Sequence, residues 1–139
     1  MIFKQPNEKE FEQVKQWVED FWLDNGNMQP EQFSVLSDNG KVIAFGRLKE
    51  HADATELCTM GVAKEFQSKG FGEKMVKHLI SQATQDVHLV TIIPKFFANC
   101  GFALVENYPV SLQRKIDLCK THYHVEEPYH VMKWEKKDI

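Results

Sequence analysis

One segment of the 139-residue sequence combines residue types that can hold a phosphate group. Residues 67–74 read QSKGFGEK and place Gln67, Gly70 and Gly72 in the pattern Gln-x-x-Gly-x-Gly. Glycine is the weakest helix former apart from proline, so two glycines at the apparent start of a helix need another reason. The first N–H groups of a helix have no intrahelical acceptor and lie at the positive end of its dipole, where anions bind. We therefore predict a phosphate contact, against the simpler alternative that Gly70 only ends a loop.

Two other phosphate-binding patterns do not match this segment. A nucleotide P-loop needs GxxxxGK followed by Ser or Thr, and neither the spacing nor the hydroxyl is present. A dinucleotide fingerprint needs a third glycine or alanine, where this chain has Met75. The remaining pattern is Gln-x-x-Gly-x-Gly, which follows a run that ends in Gly61 and Val62.

The elements that would position this segment follow from hydrophobic periodicity. Residues 8–23 place their apolar residues on one helix face, after a short strand-like stretch at residues 2–4. Residues 33–50 predict an antiparallel hairpin around Asn39-Gly40, because both turn positions tolerate positive φ. A β-rich run at 55–62 then leads through a polar loop into a helix that starts at Phe71.

The remaining sequence predicts shorter elements. A strand at 87–93 precedes a short helix that opens at Pro94 and stops at Gly101, and a β-leaning run follows at 102–106. Residues 129–134 alternate as a final strand, whereas the polar and apolar run at 111–119 is assigned no element. The order is helix, hairpin, strand, helix, strand, helix, strands, which predicts an α/β (α+β) fold with a mixed sheet and helices on its faces.

Composition limits the classes of function. The net charge is -3 and no block of like charges occurs, so no nucleic acid or anionic membrane is expected as a partner. The sequence has no apolar run of about 18 residues and no apolar signal-peptide core at its start, which predicts a cytoplasmic protein. A hydrophobic content of 42% in 139 residues predicts one domain over residues 1–139. The 3 cysteines, Cys58, Cys100 and Cys119, predict free thiols.

The Gln67, Gly70 and Gly72 pattern resembles the acetyl-CoA-binding signature of the GNAT superfamily of N-acetyltransferases. That signature stands at the start of the helix after the fourth strand. Family members also carry an aromatic-x-x-x-Gly-Phe segment after the fifth strand, and this chain has Phe97 before Gly101-Phe102. The resemblance extends over residues 1–106. It implies the GNAT fold, with a mixed, mostly antiparallel central sheet flanked by helices.

The resemblance implies a site for acetyl-CoA. The backbone of residues 60–62 would pair with the pantetheine arm, and residues 68–73 would hold the pyrophosphate. The residues implied in cofactor binding are Met60, Gly61, Val62, Gln67, Ser68, Lys69, Gly70, Phe71, Gly72, Glu73 and Phe97. Independently of the family, a glycine at position 61 inside a strand indicates a bulge or a close backbone approach.

The chemistry implied is transfer of an acetyl group to an amine, which needs a base and donors for the oxyanion. Glu56 stands where several family members have a catalytic glutamate, so it is the candidate base, directly or through a water. The alternative is a solvated glutamate at a strand end. The oxyanion would be held by an N–H group within residues 60–62. Many members have a tyrosine where this chain has Phe97, so the thiolate must be protonated by another group, such as Tyr108 or Cys100, or leave to solvent.

The segment from Phe97 to Pro109 further resembles the acetyltransferase domain of N-acetylglutamate synthases. This implies a small-molecule amine acceptor, for example an amino acid such as glutamate, whose carboxylates need basic partners; Arg47, Arg114 and Lys115 are candidates by charge alone. The alternative is a non-catalytic CoA-binding or interaction domain that kept the fold. A homodimer is left open.

Two further groups of residues have a structural and a functional interpretation. A tail with Cys119, His122, His124 and His130 has zinc-ligand residue types, but scattered histidines near a terminus are more often surface residues, so no metal is predicted. Aromatic residues on the first helix form either core or a wall of the acceptor pocket, with core favoured: Trp17, Phe21 and Trp22.

Overall fold

The computed structural model describes residues 1–123 and 125–137. The elements, in chain order, are β1 (Ile2–Lys4), α1 (Glu8–Asp20), β2 (Phe33–Asp38), β3 (Lys41–Glu50), β4 (Thr55–Val62), α2 (Phe71–Gln82), β5 (Val87–Thr91), α3 (Pro94–Ala98), β6 (Ala103–Leu104), α4 (Val110–His122) and β7 (His130–Trp134). Hydrogen bonds join the strands in the order β1-β2-β3-β4-β5-β7-β6. The β1–β2, β2–β3, β5–β7 and β6–β7 pairs are antiparallel and the β4–β5 pair is parallel. The predicted α/β fold with a mixed, mostly antiparallel sheet and flanking helices is confirmed.

The strongest sequence patterns predicted their elements well. The first helix, the hairpin at 33–50, the strand at 55–62 and the helix from Phe71 are all present. Two details differ. The run at 102–106 forms a strand only at Ala103–Leu104, and the run at 111–119, which was assigned no element, lies within α4.

The chain divides into two compact units that are described separately. Unit 1 comprises residues 1–49 and 57–82, and unit 2 comprises residues 50–56 and the described residues from 83 onward. Each unit has its own cluster of buried apolar side chains. The expectation of one domain over the whole chain stays a prediction.

In unit 1, α1 packs its apolar face against the hairpin. Val14 and Val18 of the helix are buried with residues of β2 and β3: Phe33, Val35, Val42 and Phe45. Burial of each such side chain stabilises the fold by about 1.5 to 3 kcal/mol. The hairpin turn takes positive φ at Asn39 (52°) and Gly40 (83°), as its sequence predicted. Helix and turn are joined by Gln13, whose side chain donates to the Gly40 carbonyl at 2.8 Å.

The aromatic residues at the end of α1 have different environments. Trp17 and Phe21 are partly buried against the core cluster, in agreement with the core interpretation. For Trp22 that interpretation is wrong, because its side chain is 79% exposed. The helix ends at Asp20 and Trp22 takes a left-handed backbone conformation (φ 57°), which removes it from the apolar face of the helix.

In unit 1, α2 lies close to the backbone of β3. A Cβ built on Gly46 would be 2.6 Å from Leu79 Cδ1 and 3.1 Å from Met75 Cγ, both on α2. A side chain larger than that of glycine would require the Leu79 and Met75 side chains, or the helix, to shift. Gly46 therefore permits the close approach of β3 to the helix that follows the predicted phosphate loop.

Unit 2 is built around α4, the helix that the sequence patterns did not reveal. Leu112, Ile116 and Cys119 recur at helical spacing and are buried, the first two in one cluster with Ala54 and Val131. In this unit β7 lies between β5 and β6, with register pairs such as Leu89 with Met132.

The start of α4 is fixed by Asp53. Its carboxylate accepts a hydrogen bond from the Ser111 backbone N–H at 3.1 Å. Hydrogen bonds from Ser111 lower the pKa of the Asp53 carboxyl, because they favour its charged form.

Among the described residues, no helix is long and apolar enough to cross a membrane.

A buried carboxylate joins α1 to β2 in unit 1. Asn7 and Glu10 form a reciprocal capping box at the start of α1. The other oxygen of Glu10 accepts a hydrogen bond from the Ser37 hydroxyl, and Lys4 Nζ lies 2.7 Å from Glu10 Oε1. Desolvation is the largest single influence, and it raises the pKa of Glu10. The hydrogen bonds from Asn7, Lys4 and Ser37 lower this pKa, and together they outweigh desolvation. The net effect is a lowered pKa, so the charged form stabilises the folded state.

We expect Glu10→Gln to reduce the free energy of unfolding at pH 7 by about 1 to 3 kcal/mol, because buried donors lose their charged acceptor. A lowered folded-state pKa contributes stability above the unfolded-state value and loses it as the pH falls through the folded-state value. The difference between wild type and variant should therefore shrink as the pH falls below about 4. Urea denaturation at a series of pH values measures it.

The matched control is Glu12→Gln on the same helix, since Glu12 is exposed and pairs only at the surface with Lys15. Its effect should stay within about 0.5 kcal/mol at every pH. A Glu10→Gln effect equal to that of Glu12→Gln would contradict the stabilising role of the buried carboxylate.

Candidate active site

The predicted phosphate loop lies in unit 1, between the end of β4 and the start of α2. Gln67 fixes the start of the loop, because its side-chain nitrogen donates to the Val62 carbonyl at 3.0 Å. The backbone is left-handed at Ser68 (φ 63°) and again at Gly70 (φ 85°). Glycine adopts this conformation without the steric cost that other residues incur. Gly70 is therefore required by backbone geometry, and the loop turns sharply just before the helix.

The start of α2 presents backbone donors that the helix itself does not use. The N–H of Lys74 donates to the Gly70 carbonyl at 3.2 Å, which is the first helical hydrogen bond. The N–H groups of Phe71, Gly72 and Glu73 have no acceptor within the helix. A Cβ built on Gly70 would meet no atom of the described residues within 4 Å, so the space beside it is open. This arrangement suits an anionic group such as a pyrophosphate.

The side chains around this loop are mostly exposed and carry charge of both signs. Lys69 Nζ lies 5.7 Å from the centre of the Phe66 ring, a cation–π contact that holds the ammonium beside the loop. Glu73, in the first turn of α2, has its carboxylate 3.0 Å from Lys77 Nζ. This pair offsets the negative charge that Glu73 would otherwise bring to an anion-binding helix end.

The strand before the loop has an unusual backbone at Thr59. Its φ is 50°, in the left-handed region that a regular strand does not adopt. The buried Thr59 hydroxyl donates to the Asp24 carbonyl at 2.9 Å, which stabilises the distortion. The residues that follow, Met60, Gly61 and Val62, are half-buried. Thr59 therefore stands between the buried start of β4 and its more accessible end.

Gly61 has a structural reason of its own. A Cβ at this position would lie 2.7 Å from Phe45 Cζ and 3.1 Å from Phe21 Cδ2. The sequence predicted a bulge or a close approach at Gly61, and the close approach is that of aromatic rings in the unit 1 core. A ligand is not needed to explain this glycine.

Glu56, the candidate base, lies in unit 2 and is buried. Its side chain is 2% exposed, so the alternative of a solvated strand-end glutamate is wrong. Oε1 lies 2.8 Å from Nε2 of His51, and Oε2 lies 3.0 Å from Nζ of Lys115 on α4. The lysine contact does not have hydrogen-bond alignment within the described residues and is mainly Coulombic. A buried carboxylate needs such partners, because its desolvation is costly when they are missing.

His51 and Lys115 were missed as partners of Glu56 by sequence reasoning. His51 begins a tight turn in which its backbone N–H donates to the Ala54 carbonyl at 2.8 Å, and this turn brings its ring to Glu56. His51 and Glu56 are five residues apart across a turn, and this separation matches neither helix nor strand periodicity, so the sequence pattern does not predict their contact. Lys115 was noted only as a cation, since its position depends on α4, which was not predicted.

Phe97 lies in unit 2 and is 7% exposed. Its ring packs edge-on against Phe96 and Phe102, with ring centres 4.9 Å and 5.9 Å apart. The role of Phe97 in cofactor binding stays a prediction, and its environment is an aromatic cluster. The proposed alternative proton donors are placed differently: the Tyr108 hydroxyl donates to Gln113 Oε1 at 2.9 Å, and Cys100 is buried.

The candidate carboxylate-binding cations are in three different environments. Arg47 is 0% exposed, and its guanidinium donates to Gln32 Oε1 and to the carbonyls of Gly26 and Asn27. It therefore holds the segment after α1 in unit 1. Lys115 pairs with Glu56, as described. Arg114 is exposed on α4.

The C-terminal tail shows no metal centre in the part of the chain that the structure describes. No group of three His, Cys, Asp or Glu side chains there is placed to bind a metal. Cys119 is buried on α4, and His124 lies outside the described residues. The described cysteines form no disulfide, as predicted.

The sequence matches a family model. Residues 2–102 match the model described as the acetyltransferase (GNAT) family. No curated protein sequence matches the chain.

Several solved structures share the fold of this chain. N-acetylglutamate synthase from Neisseria gonorrhoeae, complexed with coenzyme A and N-acetyl-glutamate, is 16% identical at a TM-score of 0.77, and the match covers 99% of this chain and 35% of that one. Rv2747 from Mycobacterium tuberculosis, in complex with CoA and NLQ, is 20% identical at a TM-score of 0.79 and is matched over 100% of its length, against 99% of this chain. IAA acetyltransferase from Bacillus cereus is 18% identical at a TM-score of 0.66, with coverage of 97% of this chain and 99% of that one. The chain thus spans about a third of the gonococcal synthase and nearly all of the other two.

The contact at Gly61 predicts the result of enlarging this residue. Gly61→Ala should reduce the free energy of unfolding by about 1 to 3 kcal/mol, because its Cβ overlaps the Phe45 ring. The double variant Gly61→Ala/Phe45→Leu should cost less than the sum of the two single variants, since the smaller side chain makes room. Thermal denaturation of the four proteins measures this coupling. Strict additivity would show that Phe45 does not set the limit at Gly61.

Proposed function

The chain belongs to the acetyltransferase (GNAT) family, and from this membership we propose that it transfers an acetyl group from acetyl-CoA to the amine of a small molecule. The family match covers residues 2–102, which include the loop between β4 and α2. This reaction needs a site for the cofactor and a site for the amine chemistry.

The observation that carries the proposal is the backbone geometry at the start of α2. Gly70 has a φ of 85° with open space beside it, and it is followed by three N–H groups without helical acceptors. We assign the pyrophosphate of acetyl-CoA to these donors, with Gln67, Ser68 and Lys69 lining the approach. The Lys69 ammonium adds a positive charge, which favours a phosphate further.

The rest of the cofactor site is assigned along β4. The half-buried backbone of Met60, Gly61 and Val62 is proposed to pair with the pantetheine arm as an added strand would. Acetyl-CoA supplies an activated acetyl thioester when bound. An N–H group of the same stretch is proposed to stabilise the oxyanion, since preorganised backbone donors do so in acyl transfer. Phe71 and Phe97 complete the set of residues assigned to the cofactor.

Glu56 is proposed as the carboxylate on which deprotonation of the amine depends. It is the buried carboxylate at the start of β4, the strand whose other end carries the proposed pantetheine contacts. An amine must be neutral to attack a thioester, and most aliphatic amines are protonated near neutral pH. A fixed base is therefore needed.

The acceptor is proposed to be an amino acid such as glutamate. One of the proteins that share this fold, the gonococcal N-acetylglutamate synthase, is complexed with N-acetyl-glutamate. In this chain the buried guanidinium of Arg47 already donates to the Gly26 carbonyl, and Lys115 is paired with Glu56. The exposed guanidinium of Arg114 is the remaining candidate for an acceptor carboxylate.

Location and assembly stay predictions from composition. We propose a cytoplasmic protein with no nucleic-acid or membrane partner, because its net charge is only -3 and no basic block occurs. A homodimer is compatible with the proposal and is not required by it.

The rival function is a CoA-binding domain without turnover, which the phenylalanine at position 97 motivates. A panel of amino acids, polyamines and peptide N-termini, assayed for thiol release from acetyl-CoA, distinguishes the two. We expect glutamate or a related amino acid to exceed uncharged amines in kcat/KM by about 10- to 100-fold, the effect of one or two charge-assisted hydrogen bonds. Binding of CoA without turnover on any acceptor would favour the rival, and a preference for polyamines would refute the amino-acid class alone.

The cofactor site is tested by Gly72→Val. The added side chain stands at the helix start, where the phosphate is proposed to lie, so the affinity for CoA should fall by about 10-fold or more. Isothermal titration calorimetry with CoA measures it. Ser81→Val places the same side chain at the other end of α2 and should leave the affinity unchanged. Equal affinities of the folded Gly72→Val variant and wild type would remove the pyrophosphate from this loop.

A further inference from the structure

Unit 2 contains a polar cavity to which the proposed acetyl transfer assigns no role. Its volume is about 370 Å³, which lies within the range of small-molecule sites. It is lined by the turn before β4, by the loop before β5 and the start of that strand, and by the end of β7 with the segment after it, all within unit 2. The charged and imidazole side chains of the lining are Asp53, Asp86, His88, Lys133 and Lys136.

Two of the four charges in this lining compensate each other. Asp86 Oδ2 lies 3.4 Å from Lys133 Nζ, and Asp86 Oδ1 accepts a hydrogen bond from the Lys136 backbone N–H at 2.8 Å. The hydrogen bond from this N–H is the main reason why the pKa of the Asp86 carboxyl is lowered, so the carboxylate is ionised near neutral pH. Asp86 and Lys133 therefore form a pair without net charge on the wall of the cavity.

The other two charges, those of Asp53 and Lys136, are not compensated in this way. In residues 1–123 and 125–137 neither side chain forms an ion pair. Hydrogen bonds from Ser111 lower the pKa of the Asp53 carboxyl, so it is ionised near neutral pH, as is a lysine ammonium. The cavity is thus lined by one unpaired negative and one unpaired positive charge.

His88 adds a buried polar group to the wall of the cavity. The residue is 8% exposed, and its Nδ1 has no hydrogen-bond partner in the part of the chain that the structure describes. Burial, and to a smaller extent the nearby Lys133 ammonium, lower the pKa of His88, so the ring is neutral near neutral pH. Buried polar atoms are nearly always hydrogen-bonded, and an exception beside a polar cavity indicates a partner supplied from that cavity.

We propose that this cavity binds a small zwitterion of the amino-acid class, whose carboxylate lies beside Lys136 and whose ammonium lies beside Asp53. A ligand of one sign would be attracted by one of these charges and repelled by the other, whereas a zwitterion pairs with both. Charge-assisted hydrogen bonds to the two side chains supply the attraction, and the neutral ring of His88 contributes hydrogen bonding without charge. Binding at this site requires neither acetyl-CoA nor turnover.

NMR titration of the ¹⁵N-labelled protein, without CoA, tests the class of ligand. The probes are L-alanine and γ-aminobutyrate, which differ in the separation of ammonium and carboxylate. The N-acetyl derivative of each probe lacks the ammonium, and the amide derivative lacks the carboxylate. We expect the better-fitting zwitterion to bind about 10-fold or more tightly than either of its derivatives, because each derivative loses one charge-assisted partner. The backbone signals of His88 and Lys136 should shift on binding, and KCl at the same ionic strength should not shift them.

The derivatives also define the results that would overturn the proposal. An N-acetyl derivative that binds as tightly as its parent would show a site for anions, and an amide that does so would show a site for cations. Either result excludes recognition of a zwitterion. If neither amino acid shifts signals of residues that line the cavity, the site itself is refuted. None of these outcomes depends on whether the protein transfers acetyl groups.

Two variants, each lacking one charge, test the assigned contacts. Lys136→Gln removes an ammonium that forms no ion pair in the described residues, and Asp53→Asn keeps a side-chain oxygen for the Ser111 N–H. Each should weaken binding of the zwitterion by about 3- to 10-fold. Lys136→Gln should also reduce the preference for the zwitterion over its amide, and Asp53→Asn should reduce the preference over the N-acetyl derivative.

The matched control is Lys137→Gln, since Lys137 is exposed beside Lys136 and does not line the cavity. Its affinity for the zwitterion should equal that of wild type. If Asp53→Asn lowers the melting temperature because α4 is loosened, the comparison of Lys136→Gln with Lys137→Gln decides alone. Equal affinities of these two variants would remove the carboxylate from Lys136 and overturn the proposal.

Discussion

The charge of Glu56 must be compensated within unit 2, and much of that unit follows from this requirement. A carboxylate that is 2% exposed needs cationic or donor partners, since its desolvation would otherwise favour the unfolded chain. One partner comes from the turn that begins at His51, and the other comes from α4 through Lys115. Asp53, in the same turn, caps the start of α4 at Ser111. The turn and the helix are therefore joined twice, once through a buried charge and once through a backbone donor.

The constraint in unit 1 is different: backbone N–H donors between the end of β4 and the start of α2 must be kept without an internal acceptor. Thr59 and Ser68 have left-handed backbone conformations, and each carries a conformational cost. Gly70 has the same type of conformation without that cost, because it is glycine. The core of unit 1 compensates this cost, since Gly46 and Gly61 admit α2 and the Phe45 ring at close range. The loop is thus held by packing on both sides of it. The N–H groups at the start of α2 have no acceptor within the helix, so they remain available to an acceptor outside it.

The sequence predicted those parts of the fold in which local pattern and tertiary packing agree. The capping residues and apolar spacing of α1, the Asn39-Gly40 turn and the glycines before α2 all act within a few residues of one another. α4 was not recognised, because its buried positions are only Leu112, Ile116 and Cys119, and its start is capped from outside the helix, by Asp53. The partners of Glu56 depended on that helix, so they could not be predicted either. At Gly61 the outcome is different. A glycine inside a strand correctly predicted a close approach, but only the structure shows that aromatic rings make this approach.

The phenylalanine at position 97 limits how the proposed acetyl transfer can end. Phe97 is packed among Phe96 and Phe102 and has no proton to donate to a departing thiolate. Tyr108, the other aromatic candidate, already donates its hydroxyl proton to Gln113. Thiols ionise readily, so a thiolate is a good enough leaving group to depart to solvent without a proton donor. A hydroxyl at position 97 is therefore not required by the chemistry, and an aromatic cluster at this position is compatible with it.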